Sequence, residues 1–340
     1  MEIKEVIRPD LLALKPYSSA RDEYTGKAGV FLDANENPYG TLNRYPDPYQ
    51  RALKAELAEL RNVDSNQIFV GNGSDEVIDL CFRLFCRPGI DKALQFSPTY
   101  GMYKVSAAIN NIELLDCPLT ADFQIDLESA LKTIDSEQPK LIFICSPNNP
   151  TGNLIDKAII KSIARATKGL VIVDEAYIDF ADSESCISLL EELDNLIVSQ
   201  TFSKAWGLAA ARVGVAYSSE ALIGWLNNIK PPYNVSGLNQ AAALEALTDR
   251  EGFAQRKAAI LKEKERLIIY FGQLDWVQKV YPTQANFVLI KVPQATALYE
   301  QLIEQQIITR NRSSVIADSL RITVGTPKEN DILINALNNL

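Results

Sequence analysis

With 340 residues, 47% of them hydrophobic and 23% charged, the chain is long enough for roughly two domains, each with a core of its own. Its 34 basic and 43 acidic residues leave a net charge of −9, so a nucleic-acid or anionic-membrane surface would have to be a local exception. Histidine is absent throughout, which excludes it as general base, triad member or metal ligand, and five cysteines without a CxxC pair suit reduced thiols better than a disulfide framework.

In chain order, the first informative stretch is Phe69-Val70-Gly71-Asn72-Gly73-Ser74-Asp75-Glu76. An apolar strand end, two glycines, then Ser and Asp precede the helical pattern Val77, Ile78, Leu80, Cys81 and Leu84. The first amides of a helix are unpaired and carry partial positive charge, so Gly73, Ser74 and Asp75 are candidates to cradle a phosphate through backbone N–H. The plainer reading is an ordinary turn capped by Ser74. A dinucleotide fingerprint would need a glycine where Glu76 stands, which weakens that rival. Further on, Tyr100, in Ser97-Pro98-Thr99-Tyr100-Gly101-Met102-Tyr103, offers a ring that could stack on a planar ligand.

The run Leu141-Ile142-Phe143-Ile144 reads as a buried strand and is followed by Asn149-Pro150-Thr151-Gly152; residues 157–167 are helical. A second β-branched run, Leu170-Val171-Ile172-Val173, ends on Asp174-Glu175-Ala176-Tyr177. A third, Leu196-Ile197-Val198, precedes Ser203-Lys204-Ala205-Trp206, with Arg212 eight residues after the lysine. Such strands alternating with helices predict a parallel α/β sheet from about residue 39 to 232, with ligands at the carboxyl ends of its strands. Past Pro231-Pro232 the pattern changes to helices around 240–247 and 253–274, then short strands at 285–291 and 320–324. Residues 233–340 therefore read as a smaller α+β domain, and the arm of residues 1–38 is expected to pack with it.

A lysine amine attacks a carbonyl only when part of it is deprotonated, and a tethered aldehyde then captures it. Lys204 is the candidate for holding such an aldehyde cofactor, pyridoxal phosphate. That cofactor also needs a carboxylate opposite its ring nitrogen, and Asp174 ends a strand where ligands bind. Asn149 and Tyr177 are candidates to hydrogen-bond the phenolate oxygen, and Ser203 and Arg212 to complete the phosphate shell. Each motif alone is weak, since Ser-Lys is most often solvated surface and Asp after a strand is often a cap. Their order and spacing carry the reading. With Lys204 able to move the proton itself, transamination needs no histidine, and no metal is expected.

On these residues the chain resembles fold-type I pyridoxal-phosphate aminotransferases. Within that group it is similar, along almost its whole length, to the histidinol-phosphate aminotransferases. The narrower match is carried by Leu14-Lys15-Pro16-Tyr17-Ser18-Ser19-Ala20-Arg21, Leu32-Asp33-Ala34-Asn35-Glu36-Asn37-Pro38, Asn43-Arg44-Tyr45-Pro46-Asp47-Pro48 and Leu320-Arg321-Ile322-Thr323-Val324-Gly325. The resemblance implies transamination of L-histidinol phosphate with 2-oxoglutarate, giving imidazole-acetol phosphate and L-glutamate in histidine biosynthesis. One site must then accept a phosphate ester and a carboxylate in turn, which suits the guanidinium fork of Arg321. Arg310 matches a second family arginine, with Arg312 an alternative; Tyr17 and Asn35 complete the implied substrate contacts. A homodimer is also implied, with Tyr45 reaching the neighbour's cofactor phosphate. The rival reading is another enzyme of the same fold, such as an aromatic amino-acid aminotransferase or a threonine-phosphate decarboxylase. Met1-Glu2-Ile3-Lys4-Glu5 is charged where a signal peptide is apolar, and no run approaches the ~20 apolar residues of a membrane span, so a cytoplasmic location is expected.

Overall fold

The structure, a computed structural model, describes residues 3–16 and 29–339. The first half of the chain runs α1 (Ile3–Val6), α2 (Arg51–Arg61), β1 (Ile68–Asn72), α3 (Ser74–Phe85), β2 (Lys92–Ser97), α4 (Met102–Ile109), β3 (Glu113–Pro118), α5 (Leu127–Glu137), β4 (Leu141–Cys145), α6 (Lys157–Ala166) and β5 (Leu170–Asp174). β6 (Leu196–Thr201), β7 (Val213–Tyr217) and α7 (Glu220–Ile229) complete a seven-stranded sheet of order β1-β7-β6-β5-β4-β2-β3. Only β7 runs against its neighbours, β1 and β6; the remaining pairings are parallel.

The side-chain alternation of the central strands explains why both faces are covered. In β4 and β5, Ile142, Ile144, Val171 and Val173 point into one core, while Leu141, Phe143, Leu170 and Ile172 point into another. Strands apolar on both faces need helices on both sides, as parallel sheets do. α2, α5 and α6 supply one layer through Leu57, Ile134 and Ile160; α3, α4 and α7 supply the other through Phe82, Tyr103 and Leu226.

The rest of the chain comprises α8 (Gly237–Thr248), the long α9 (Arg250–Gly272), β8 (Lys279–Val280), β9 (Phe287–Lys291), α10 (Ala295–Glu304), β10 (Arg310–Asn311), β11 (Ser319–Thr323) and α11 (Pro327–Leu337). Its antiparallel sheet, ordered β10-β11-β9-β8, packs on α9, α10 and α11 around Phe271, Leu302 and Leu333. A small cluster of Tyr177, Phe180, Ala205, Ala285 and Phe287 joins the two units beside the strand ends that carry Asp174.

Two features differ from the expected domain division. Val6 and Ile7 of the arm bury against α3 in the large unit, not against the small domain. The Arg8 amide and guanidinium donate to Leu84 O and Arg83 O at 3.0 Å, satisfying carbonyls at the end of α3 that the helix itself leaves open. Likewise Ala243 and Leu247 of α8 share a core with Leu53 and Leu57 of α2. The change from one core to the other therefore falls within α9 rather than at residue 232. Among the described residues no helix is long and apolar enough to cross a membrane, and no group of three or more His, Cys, Asp or Glu is placed to hold a metal ion.

Candidate active site

At the carboxyl edge of the large sheet, facing the small domain, lies a cavity of about 560 Å³. β5 delivers Asp174 to it, 2% exposed, with the Tyr103 hydroxyl donating to Oδ2 at 2.8 Å and the Ala176 amide to Oδ1 at 3.2 Å. Burial pushes the Asp174 pKa up to about 6 in spite of those two donors. A cation opposite the carboxylate would relieve that cost.

Lys204 stands on the turn after β6, where the Gly207 amide closes back onto its carbonyl at 3.1 Å. Its half-buried amine lies 5.7 Å from the centre of the Tyr177 ring. Burial lowers its pKa from the ordinary lysine value, Arg321 adds to this, and Asp174 opposes it. A lysine so placed carries a larger neutral fraction, the form that attacks carbonyls.

Three segments converge on the N-terminus of α3. Gly73 adopts φ +78°, and a Cβ there would overlap the Arg212 guanidinium. A Cβ on Gly214, in β7, would overlap the backbone of Gly73 and Ser74. Arg212 reaches Asp75 Oδ2 at 3.1 Å and Ser203 Oγ at 3.5 Å. Helix amides, a hydroxyl and a guanidinium at one point form an anion cradle. Tyr100 is held beside it by donating to Asp75 Oδ1 at 3.1 Å.

Opposite the cradle, Asn149 Nδ2 donates to the Tyr177 hydroxyl at 3.4 Å, and Asn149 Oδ1 accepts from Arg321 Nη1. Burial pushes the Tyr177 phenol up, against the pull of Arg321. Pairing of β10 with β11 sets Arg310 directly across from Arg321. Arg321 lies over the Phe287 ring at 5.2 Å. Arg310, Arg312 and Arg321 all line the cavity, and the buried Nε atoms of Arg312 and Arg321 have no hydrogen-bond partner. Burial lowers the pKa of both Arg312 and Arg321; repulsion by Arg321 and Arg310 adds to this at Arg312, while at Arg321 Tyr177 opposes it and Arg310 adds to it. Guanidinium groups gathered with donors to spare form a second anion site, apart from the first.

This donor set fits pyridoxal phosphate: Lys204 for the aldehyde, Asp174 for the ring nitrogen, Tyr100 for the ring face, and Asn149 with Tyr177 for the phenolate oxygen. Gly73, Ser74, Asp75, Ser203 and Arg212 fit the phosphate. Two expected residues are not at the cavity of their own chain. Asn35 and Tyr45 line a separate groove, where the Tyr45 ring, 50% exposed, stacks on Tyr233 with centroids 4.4 Å apart. Asn35 was expected to contact substrate and Tyr45 to serve the neighbouring chain; within this chain both stand outside the cavity that holds Lys204. Tyr17 lies outside the described residues. Sequence reasoning passed over Tyr103 and Cys145, both buried beside Asp174. A signal was present for Tyr103, since a buried tyrosine needs a partner for its hydroxyl.

The family described as aminotransferase class I and II matches residues 28–337. The chain belongs to this family. It is 49% identical to the histidinol-phosphate aminotransferase of Parabacteroides distasonis, an alignment covering all of this chain and 99% of that one. With that of Cytophaga hutchinsonii the identity is 48%, over 98% of each chain. The crystal structure of the histidinol-phosphate aminotransferase from Clostridium acetobutylicum superposes with a TM-score of 0.81 at 25% identity, covering 88% of this chain and 92% of that one. The Sinorhizobium meliloti enzyme, solved in complex with pyridoxal-5'-phosphate, gives 0.80 at 25% identity over 90% and 89%.

Proposed function

We propose that this aminotransferase binds pyridoxal phosphate and transfers the amino group of L-histidinol phosphate to 2-oxoglutarate, giving imidazole-acetol phosphate and L-glutamate. The observation that carries the reading is the pairing, in one cavity, of Lys204 and Asp174 with the cluster of Arg310, Arg312 and Arg321. Relatives at 48–49% identity over nearly the full chain bear the corresponding name.

When bound, pyridoxal phosphate supplies an electron sink for the carbanion at the substrate carbon. The protein's residues do the rest. Asp174 holds a proton at the ring nitrogen, and Asn149 with Tyr177 supports negative charge on the phenolate oxygen. Lys204 would hold the aldehyde group, and its Nζ as a free amine would be the base that moves the proton at the substrate carbon. Its lowered pKa leaves the amine able to accept that proton. Arg321, with Arg310 and Arg312, holds the phosphate ester of one substrate and a carboxylate of the other in turn.

The active form in this reading is a homodimer, with Tyr45 of each chain completing the neighbour's phosphate shell. All five cysteines are free and buried, which suits a reducing cytoplasm. The test is a single-turnover reaction of the cofactor-loaded protein with histidinol phosphate. Conversion of the bound cofactor to its amine form, reversed by 2-oxoglutarate, is the expected result. An unchanged spectrum, release of carbon dioxide, or preference for aromatic amino acids would overturn the substrate assignment.

A further inference from the structure

Asp174 is oriented by a residue outside the set expected to touch the cofactor. Tyr103, in the first turn of α4, is wholly buried and donates its hydroxyl to Asp174 Oδ2 at 2.8 Å. Its ring has little freedom: Phe143 stacks on it at 4.8 Å and 20°, Phe82 stacks on Phe143 at 5.1 Å, and the Tyr100 ring meets it edge-on at 5.7 Å and 87°. The aromatic train runs from the sheet core to the ring expected to stack on the cofactor. Cys145, the register neighbour of Asp174 on β4, lies beside the same hydroxyl. Burial and the adjoining carboxylate hold the Tyr103 phenol well above its ordinary pKa, so it remains a donor.

We propose that Tyr103 is a positioning residue for the reaction: its hydroxyl fixes the rotamer of Asp174 toward the cofactor ring nitrogen while its ring packs against Tyr100. The inference rests on the cofactor reading above. With Oδ1 committed to the Ala176 amide and Oδ2 to Tyr103, the buried carboxylate cannot turn its plane without losing a donor. The remaining lone pairs stay free for the ring. A tyrosine that only filled the core would act on both sides of the cavity alike.

Tyr103→Phe removes the hydroxyl and keeps the ring packing, so the fold should survive, as circular dichroism would check. Dissociation constants are measured for pyridoxal phosphate and for an analogue with carbon in place of the ring nitrogen. The proteins compared are the wild type, Tyr103→Phe, Asp174→Asn and the double variant. Loss of a hydrogen bond to a charged group predicts roughly 10- to 100-fold weaker binding of pyridoxal phosphate by Tyr103→Phe. The analogue should bind as before, and the change should have no further effect in the Asp174→Asn background. Equal weakening of both ligands, an undiminished loss in that background, or wild-type affinity in Tyr103→Phe would overturn the proposal. A wild-type chain that binds neither ligand would instead remove the cofactor reading itself, and this inference with it.

Discussion

Replacing Arg321 by lysine keeps the positive charge and removes the fork. In the structure, Arg321 bonds Asn149, lies over Phe287 at 5.2 Å and faces Arg310 across the β10–β11 pair, with its Nε unpartnered. An ammonium can neither bind an anion through two parallel donors nor stack flat on Phe287. Hydrogen bonds to charged groups contribute ~1.5–3 kcal/mol, which corresponds to about 10- to 150-fold in binding. Arg321→Lys should therefore raise KM by this factor for histidinol phosphate and for glutamate alike, because one group serves both anions. Cofactor affinity should change much less than KM, through the lost bond to Asn149 alone, since the anion cradle at Gly73 and Arg212 is separate. Steady-state kinetics with each amino donor, beside a cofactor titration, provide the assay. A rise confined to one substrate, or an equal loss of cofactor binding, would refute the reasoning.

Gly214→Ala would drive a methyl into the Gly73–Ser74 backbone; overpacking of this kind costs ~1–3 kcal/mol. A lower urea midpoint together with weaker cofactor binding is expected, and an unaltered affinity would separate Gly214 from the cradle. Burial raises the pKa of Asp174 to about 6 from the ordinary aspartate value of 3.8, so the cofactor-free native state binds a proton that the unfolded chain releases. Stability should fall as pH rises from about 4 to 6, by up to roughly 3 kcal/mol, and stay reduced above that. Urea unfolding of cofactor-free protein across this range should show the slope, and Asp174→Asn should flatten it; an identical slope in the variant would assign it to other groups. Tyr45→Phe should weaken cofactor binding about fivefold by loss of one hydrogen bond across the dimer, and unchanged affinity in an equilibrium titration would discard the reach-across role.

What the sequence made legible was the part written in local pattern. Runs such as Leu170 to Val173 are apolar at every position, as a strand buried on both faces requires, and Asp174 follows at the end where ligands sit. Strand direction leaves no such mark: Val213–Tyr217 is as apolar as its neighbours, yet it runs antiparallel between β1 and β6. Domain membership is also non-local. α8 is rich in alanine and has no single apolar stripe, so its attachment to α2 emerges only from packing. For Arg310 and Arg312, spacing leaves a choice of ligand, and both residues line the cavity. For Tyr103 the residue type signalled that its hydroxyl needs a partner if buried, but only the packing shows that the partner is Asp174.

Borohydride reduction of the cofactor-loaded protein tests most directly whether Lys204 is bonded covalently to the aldehyde of pyridoxal phosphate. Reduction fixes that bond, and peptide mass analysis then locates the added mass. The cofactor mass is expected on Lys204, with loss of both this mass and the visible absorption band in Lys204→Ala. A label on any other lysine, or a band that survives in Lys204→Ala, would contradict it.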